Sequence, residues 1–212
     1  MVPRGSPRRG KPGARSGQQK RLRIATEAAR IMAEEGVRDF QMAKRKAIAR
    51  LNLSEQRDLP TNEEIDTALA DHLHLFHGGQ LARNTQRLRE IAVEAMNFLA
   101  AFEPRVVGPV LSGTVTPTSD IQLHLSAETP EQVGLFLGEH RIPFRLGERR
   151  IRFGGERYEN VSTYQFMADG VAVELCVFHP RTAREPPLSP VDGRPMRRGN
   201  IKEVEALLGR HT

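Results

Sequence analysis

The sequence predicts an α+β fold, an N-terminal helical segment packed on a mixed β-sheet. Three observations carry this. Apolar residues recur at helical spacing as far as Phe102, then at alternating spacing from Arg105 onward. Asp169-Gly170 separates two strand-forming runs, VSTYQFMA and VAVELCVF, and Asp-Gly in that setting is a strong two-residue hairpin signal. One helical stretch, residues 130–140, lies among the strands, as a mixed sheet requires.

Taken in order, the chain opens with a basic segment. Residues 1–23 hold eight Lys or Arg and no acid, whereas the whole chain has 32 basic and 26 acidic residues. The body is therefore about −2, and the net charge of +6 describes the tail. Rich in Gly, Pro, Ser and Arg, residues 1–23 read as a disordered arm able to hold RNA or DNA through salt-sensitive phosphate contacts. VPRGS, residues 2–6, reads as a thrombin-site remnant of expression.

Residues 24–104 form the helical region. Ile24, Ala28, Ile31 and Met32 have helical spacing, and Gly36 is placed to stop that helix. Asp39 caps a second, which buries Phe40, Ala43, Ala47, Ile48 and Leu51 and turns Lys44, Arg45, Lys46 and Arg50 outward. Thr61 and Glu64 have capping-box spacing at the start of a third, with Ile65, Ala68, Leu69, Leu73 and Phe76 as its stripe and Gly78-Gly79 as its end. A fourth helix is expected over 80–102, stopped by Pro104. In HLHLFH, His72 and His74 point to nearly opposite sides of a helix and cannot share an ion; solvent-facing histidines are the expectation.

Residues 105–178 form the sheet domain. Strands are expected over 105–112 and 120–126, a strand region broken near Gly147 over 142–153, and the hairpin at the end. Residues 179–212 read as a Pro/Arg-rich loop and a closing helix from about Asn200. No apolar run reaches membrane-spanning length. The single cysteine, Cys176, sits in the apolar VAVELCVF and is expected buried and inert; these features together suggest a cytoplasmic protein without membrane partners.

Alternation places Asp120, Gln122 and His124 on one face of their strand, opposite Ile121, Leu123 and Leu125. It likewise sets Glu174 opposite Val173, Leu175 and Val177. A carboxylate within so apolar a strand is costly to bury without a partner. On adjacent strands Asp120 and Glu174 would make a small acidic pocket that one divalent cation satisfies. His124, four positions and ~13 Å along the strand from Asp120, is a poor third ligand.

With Gly113-Thr114 before a turn, Ser119-Asp120 opening the next strand and Glu174 on a later one, residues 105–178 resemble a minimal domain of the nucleotidyltransferase superfamily, the fold of polymerase-beta-like enzymes. The resemblance implies that Ser112, Gly113, Thr114, Ser119 and Gln122 contact a nucleoside triphosphate, and that Asp120 and Glu174 act as catalytic metal ligands for Mg²⁺ or Mn²⁺. Two departures count against catalysis. Gln122 stands where the family has its second carboxylate, and a two-metal displacement needs that charge. The loop from Val115 to Ser119 is short and contains Pro117, which lacks an N–H. One metal can sit between Asp120 and Glu174, but not two; Glu128 or Asp169 would have to help recruit a second.

The sequence thus points to a nucleotidyltransferase-fold protein that binds an NTP with a divalent metal and has weakened or lost transfer activity. An active Mg²⁺-dependent nucleotidyltransferase acting on a small molecule, protein or RNA is the first alternative. The second comes from RIATEAARIMAEEG and FQMAKRKAIARLNLS, which resemble the opening helices of TetR-type regulators and would make the chain a helix-turn-helix nucleic-acid-binding regulator.

Overall fold

The computed structural model describes residues 12–53 and 58–209. The chain divides into two compact units, residues 1–72 and 73–212, and the boundary falls inside one helix.

The first unit begins with α1 (Pro12–Glu35), which buries Ile24, Ala25, Ala28, Ile31 and Met32 and ends where Gly36 turns to φ 66°. Residues 12–23 are therefore helix, a correction to the disordered tail expected over 1–23; residues 1–11 lie outside the described part. Pro12 suits the first helical turn, and Gln18, Gln19, Lys20, Arg21, Leu22 and Arg23 are all fair helix formers. Composition alone hid the anchor: Arg21 Nε donates to Glu64 Oε2 at 2.8 Å.

Next comes α2 (Phe40–Arg50), capped by Asp39, whose Oδ1 accepts from the Met42 N–H at 2.6 Å. Its basic face is largely occupied. Lys46 reaches Glu35 at 2.9 Å, and Arg50 pairs with Glu27 and Glu35. Lys44, expected outside, is buried, with its ammonium on Asn62 Oδ1 at 2.8 Å. Burial holds the Lys44 pKa below the ordinary lysine value.

Helix α3 (Asn62–Phe98) starts with the capping box, Thr61 and Glu64 each bonding the other's backbone N–H, at 3.1 and 2.7 Å. It continues through Gly78-Gly79, where two separate helices were expected. Glycine costs a helix only ~1 kcal/mol per residue relative to Ala, which is too little to break an otherwise continuous stripe with Leu73 and Leu81 buried on either side.

The second unit follows the rest of α3 with a short 3₁₀ turn, Ala100–Phe102, and Glu103 in the left-handed region. Its five strands are β1 (Arg105–Val107), β2 (Ile121–Ser126), β3 (Arg145–Arg152), β4 (Tyr158–Ala168) and β5 (Val171–Phe178). They lie in the order β1-β2-β5-β4-β3; β2 and β5 run parallel and every other pair is antiparallel. The fold is α+β with a mixed sheet. Asp169 and Gly170 both take positive φ, as a two-residue hairpin turn demands.

Two strands differ from expectation. The strand predicted over 105–112 stops at Val107, because Gly108 turns at φ 69° and Pro109 opens the short helix α4 (Pro109–Ser112). Strand β3 is unbroken at Gly147, which pairs with Thr163. A Cβ at residue 147 would lie 3.0 Å from Thr163 Oγ1, so the glycine serves close packing here.

Ile121, Leu123, Leu125, Val173, Leu175 and Val177 are buried on one face of the sheet. Helix α5 (Pro130–Glu139) buries Val133 and Leu137 and packs against β5, while Phe98 of α3 stacks near Phe136 with ring centroids 5.0 Å apart. On the other face a smaller core gathers Phe153, Val161, Cys176 and Phe178. After β5 come the short α6 (Pro180–Ala183), a loop, and α7 (Ile201–Gly209). The loop docks on β1 through paired backbone bonds between Val106 and Gly199, both 2.9 Å. No helix of the described residues is long and apolar enough to cross a membrane.

Candidate functional site

The parallel pairing of β2 with β5 brings the sequence-predicted residues together. Gln122 pairs with Glu174 in register, on one face of adjacent strands. Asp120, just before β2, is two positions back on that face, about 8 Å from Glu174 between Cα atoms by strand geometry. Asp120 is buried at 8% exposure and has an interaction partner within the chain. The register thus sets Gln122 beside Glu174, with Asp120 two residues before Gln122.

Its chemistry is set by a residue the sequence reading missed. Arg149, on edge strand β3, extends across the face and donates from Nη1 to Glu174 Oε2 at 2.8 Å. The same pair surrounds Cys176. Burial, then the Glu174 charge, push its thiol pKa up to about 12, with Arg149 opposing. Cys176 is accordingly a neutral, inert core residue, as expected.

The predicted phosphate-contacting residues are close by, but their donors are committed. The Gly113 and Thr114 N–H groups both donate to the Pro109 carbonyl, at 2.7 and 3.2 Å, closing the C-terminus of α4. Ser112 and Thr114 share a hydroxyl hydrogen bond of 2.8 Å. Ser119 is turned into its own loop, its Oγ accepting from the Thr116 N–H at 2.8 Å and its N–H donating to the Thr116 carbonyl at 3.1 Å. Gln122 lies against Gly108, whose missing Cβ would stand 3.2 Å from the amide oxygen. Beneath α4, buried Arg89 donates from Nε to the Val110 carbonyl at 3.1 Å and caps a helix end the sequence did not reveal. Burial is the main force holding the Arg89 pKa below its ordinary value, with Arg197 adding to it.

A pair of divalent ions does not fit this donor set. Gln122 is neutral, Glu174 is neutralised by Arg149, and among the described residues no three His, Cys, Asp or Glu side chains converge as a metal-holding group. Asp169 is turned elsewhere, paired with Arg87 at 3.1 Å, and Glu128 lies 3.2 Å from His179.

His124 lies on the same face two residues beyond Gln122. It is buried at 6% exposure against Phe178, with ring centroids 4.8 Å apart, and its Nδ1 has no hydrogen-bond partner. Burial, with Arg198 and Arg149 adding like charge, pushes its pKa down to about 3.

No protein-family model matches the chain, and no curated protein is significantly similar to it.

Proposed function

We propose that the second unit is a nucleotidyltransferase-like module that binds a nucleotide by its phosphates without transferring it. The observation that carries this reading is the Arg149–Glu174 contact of 2.8 Å, made where the resemblance would have a metal-ligating carboxylate. A guanidinium there neutralises Glu174 and keeps further N–H donors for phosphate oxygens, a geometry arginine suits. It cannot activate an attacking hydroxyl as a pair of metal ions does.

Calorimetric titration with each of the four NTPs, with and without Mg²⁺, tests the reading beside transfer assays from labelled NTP. Binding is expected without Mg²⁺ and weakened about tenfold by Arg149→Gln. Transfer is expected to be absent. Mg²⁺-dependent transfer that Asp120→Asn and Glu174→Gln each abolish would instead identify an active enzyme. The double variant Gln122→Asp with Arg149→Gln removes the competing cation and adds an anionic ligand. It is expected to bind Mn²⁺ where the parent chain does not.

A further inference from the structure

A cavity of about 720 Å³ opens at the opposite end of the parallel strands, where β2 and β5 finish. That volume is typical of small-molecule sites. Arg105, Arg184 and Arg198 line it together with His124. Their placement is built into the sheet. Arg105 faces His124 directly across the β1–β2 pair. Arg198 immediately precedes Gly199, which is bridged to Val106. The Arg198 guanidinium is held by backbone, donating to the Ala183 carbonyl at 2.6 Å and the Arg184 carbonyl at 3.3 Å.

Among the described residues, none of the three arginines forms an ion pair. Of the two acids on the lining, Glu128 is turned to His179 and Glu103 forms no ion pair among those residues. Burial and the neighbouring Arg105 charge both hold the Arg198 pKa below its ordinary value, so the positive charges repel within reach of one another. His124, which lines the cavity, carries a buried Nδ1 without a hydrogen-bond partner, a feature that native structures rarely leave without a role.

We infer that this cavity is a binding site for a small organic phosphate, its phosphate held by Arg105, Arg184 and Arg198 beside His124 and its organic part against Phe102 and Phe178. Arginine forks match phosphate geometry bidentately, and three around one dianion relieve the repulsion that the empty site carries. The cavity exceeds the size of inorganic phosphate alone, and Phe102 and Phe178 give its wall an apolar portion. The site shares no residue with the Arg149–Glu174 centre, so it stands or falls independently of the nucleotide reading above.

The test is calorimetry on the full chain with inorganic phosphate, adenosine monophosphate and citrate, with histidine NMR to follow the His124 ring. Adenosine monophosphate is expected to bind at least tenfold more tightly than inorganic phosphate, and to shift the His124 resonances. Arg105→Gln and Arg184→Gln, at exposed positions, are each expected to weaken it about tenfold. In an Arg149→Gln background, which removes the nucleotide centre read above, the binding that Arg105→Gln and Arg184→Gln weaken is expected to persist. Absence of binding, indifference to both variants, or a still His124 ring would overturn the inference. Citrate binding as tightly as the monophosphate would overturn the assignment to phosphate. The ring shift needs no variant, so a misfolded substitution cannot rescue or sink the proposal.

Discussion

The two ends of the β2–β5 strand pair carry opposite electrostatic solutions. At the start, Glu174 is neutralised by Arg149, the Gly113 and Thr114 N–H groups close on Pro109, and Ser119 closes on its own loop. At the finish, Arg105, Arg184 and Arg198 line a cavity and form no ion pair among the described residues, and there the His124 Nδ1 has no hydrogen-bond partner. The end that looks like an active site in sequence is the better satisfied one. A constellation of residue types is therefore a weaker guide to function than the polar groups left unsatisfied once the chain is folded.

The largest expected effect tests how strongly His124 is held neutral. Its folded pKa, about 3, lies below the unfolded value near 6.5. As pH falls below 6.5 the unfolded chain takes up a proton that the folded chain refuses. Stability should then drop by about 1.4 kcal/mol per pH unit until pH approaches 3. Between pH 6.5 and 5.5 carboxylate titration contributes little, because Glu27, Glu35 and Glu64, held lower in the fold, take up protons in the unfolded chain only as pH nears 4.5. Denaturant unfolding across that window should show the slope in the parent chain and a flatter profile in His124→Phe. Equal slopes would mean the ring is solvated.

Smaller, but confined to the same end, is the effect of Gly199→Ala. A Cβ at residue 199 would stand 2.6 Å from Leu111 Cδ1 and 3.2 Å from Val106 Cγ1, and both neighbours are buried. A cost of about 1–3 kcal/mol is expected in thermal or denaturant unfolding. Because Gly199 tethers the segment carrying Arg198, the substitution should also weaken binding in the arginine-lined cavity while sparing the Arg149–Glu174 centre. An unaltered midpoint would show that the loop is not docked on β1.

At the other end, Glu174→Gln should cost no more than about 1 kcal/mol, since Arg149 is roughly half exposed and exposed ion pairs contribute little. Its clearer signature is on Cys176. Removing the Glu174 charge lowers the thiol pKa, and Arg149→Gln raises it further. Thiol-reactivity profiles against pH should move in these opposite directions. Movement in the same direction would dissolve the local pairing.

The smallest effect is a control remote from both ends. Gly78→Ala and Gly79→Ala lie inside α3, facing open space apart from one Arg83 atom at 4.0 Å from a Cβ at 79. Each should stabilise by roughly 0.5–1 kcal/mol. Destabilisation would mean that α3 needs to bend there.

What the sequence determined by itself was local. The Asp39 cap, the Thr61–Glu64 capping box, the Gly36 stop and the Asp169-Gly170 turn each depend on residues within a few positions, so residue type and spacing encode them. Strand alternation likewise placed Asp120, Gln122 and His124 on one face and marked Glu174 as an oddity in an apolar strand. The same locality misled where two weak signals met a longer element: Gly78-Gly79 did not end α3, and a Gly/Arg-rich composition concealed helix from Pro12. Only the tertiary structure decided the partners. Which strand lies beside β2, that Arg149 crosses from β3 to Glu174, and that Arg105, Arg184 and Arg198 converge by His124 all follow from pairings between segments tens of residues apart. Those pairings depend on closing the whole sheet around its core. Charge neutrality at one end and charge excess at the other are properties of that closure, since Arg149 and Glu174 come from different strands and Arg105 from a segment remote in sequence from Arg184 and Arg198.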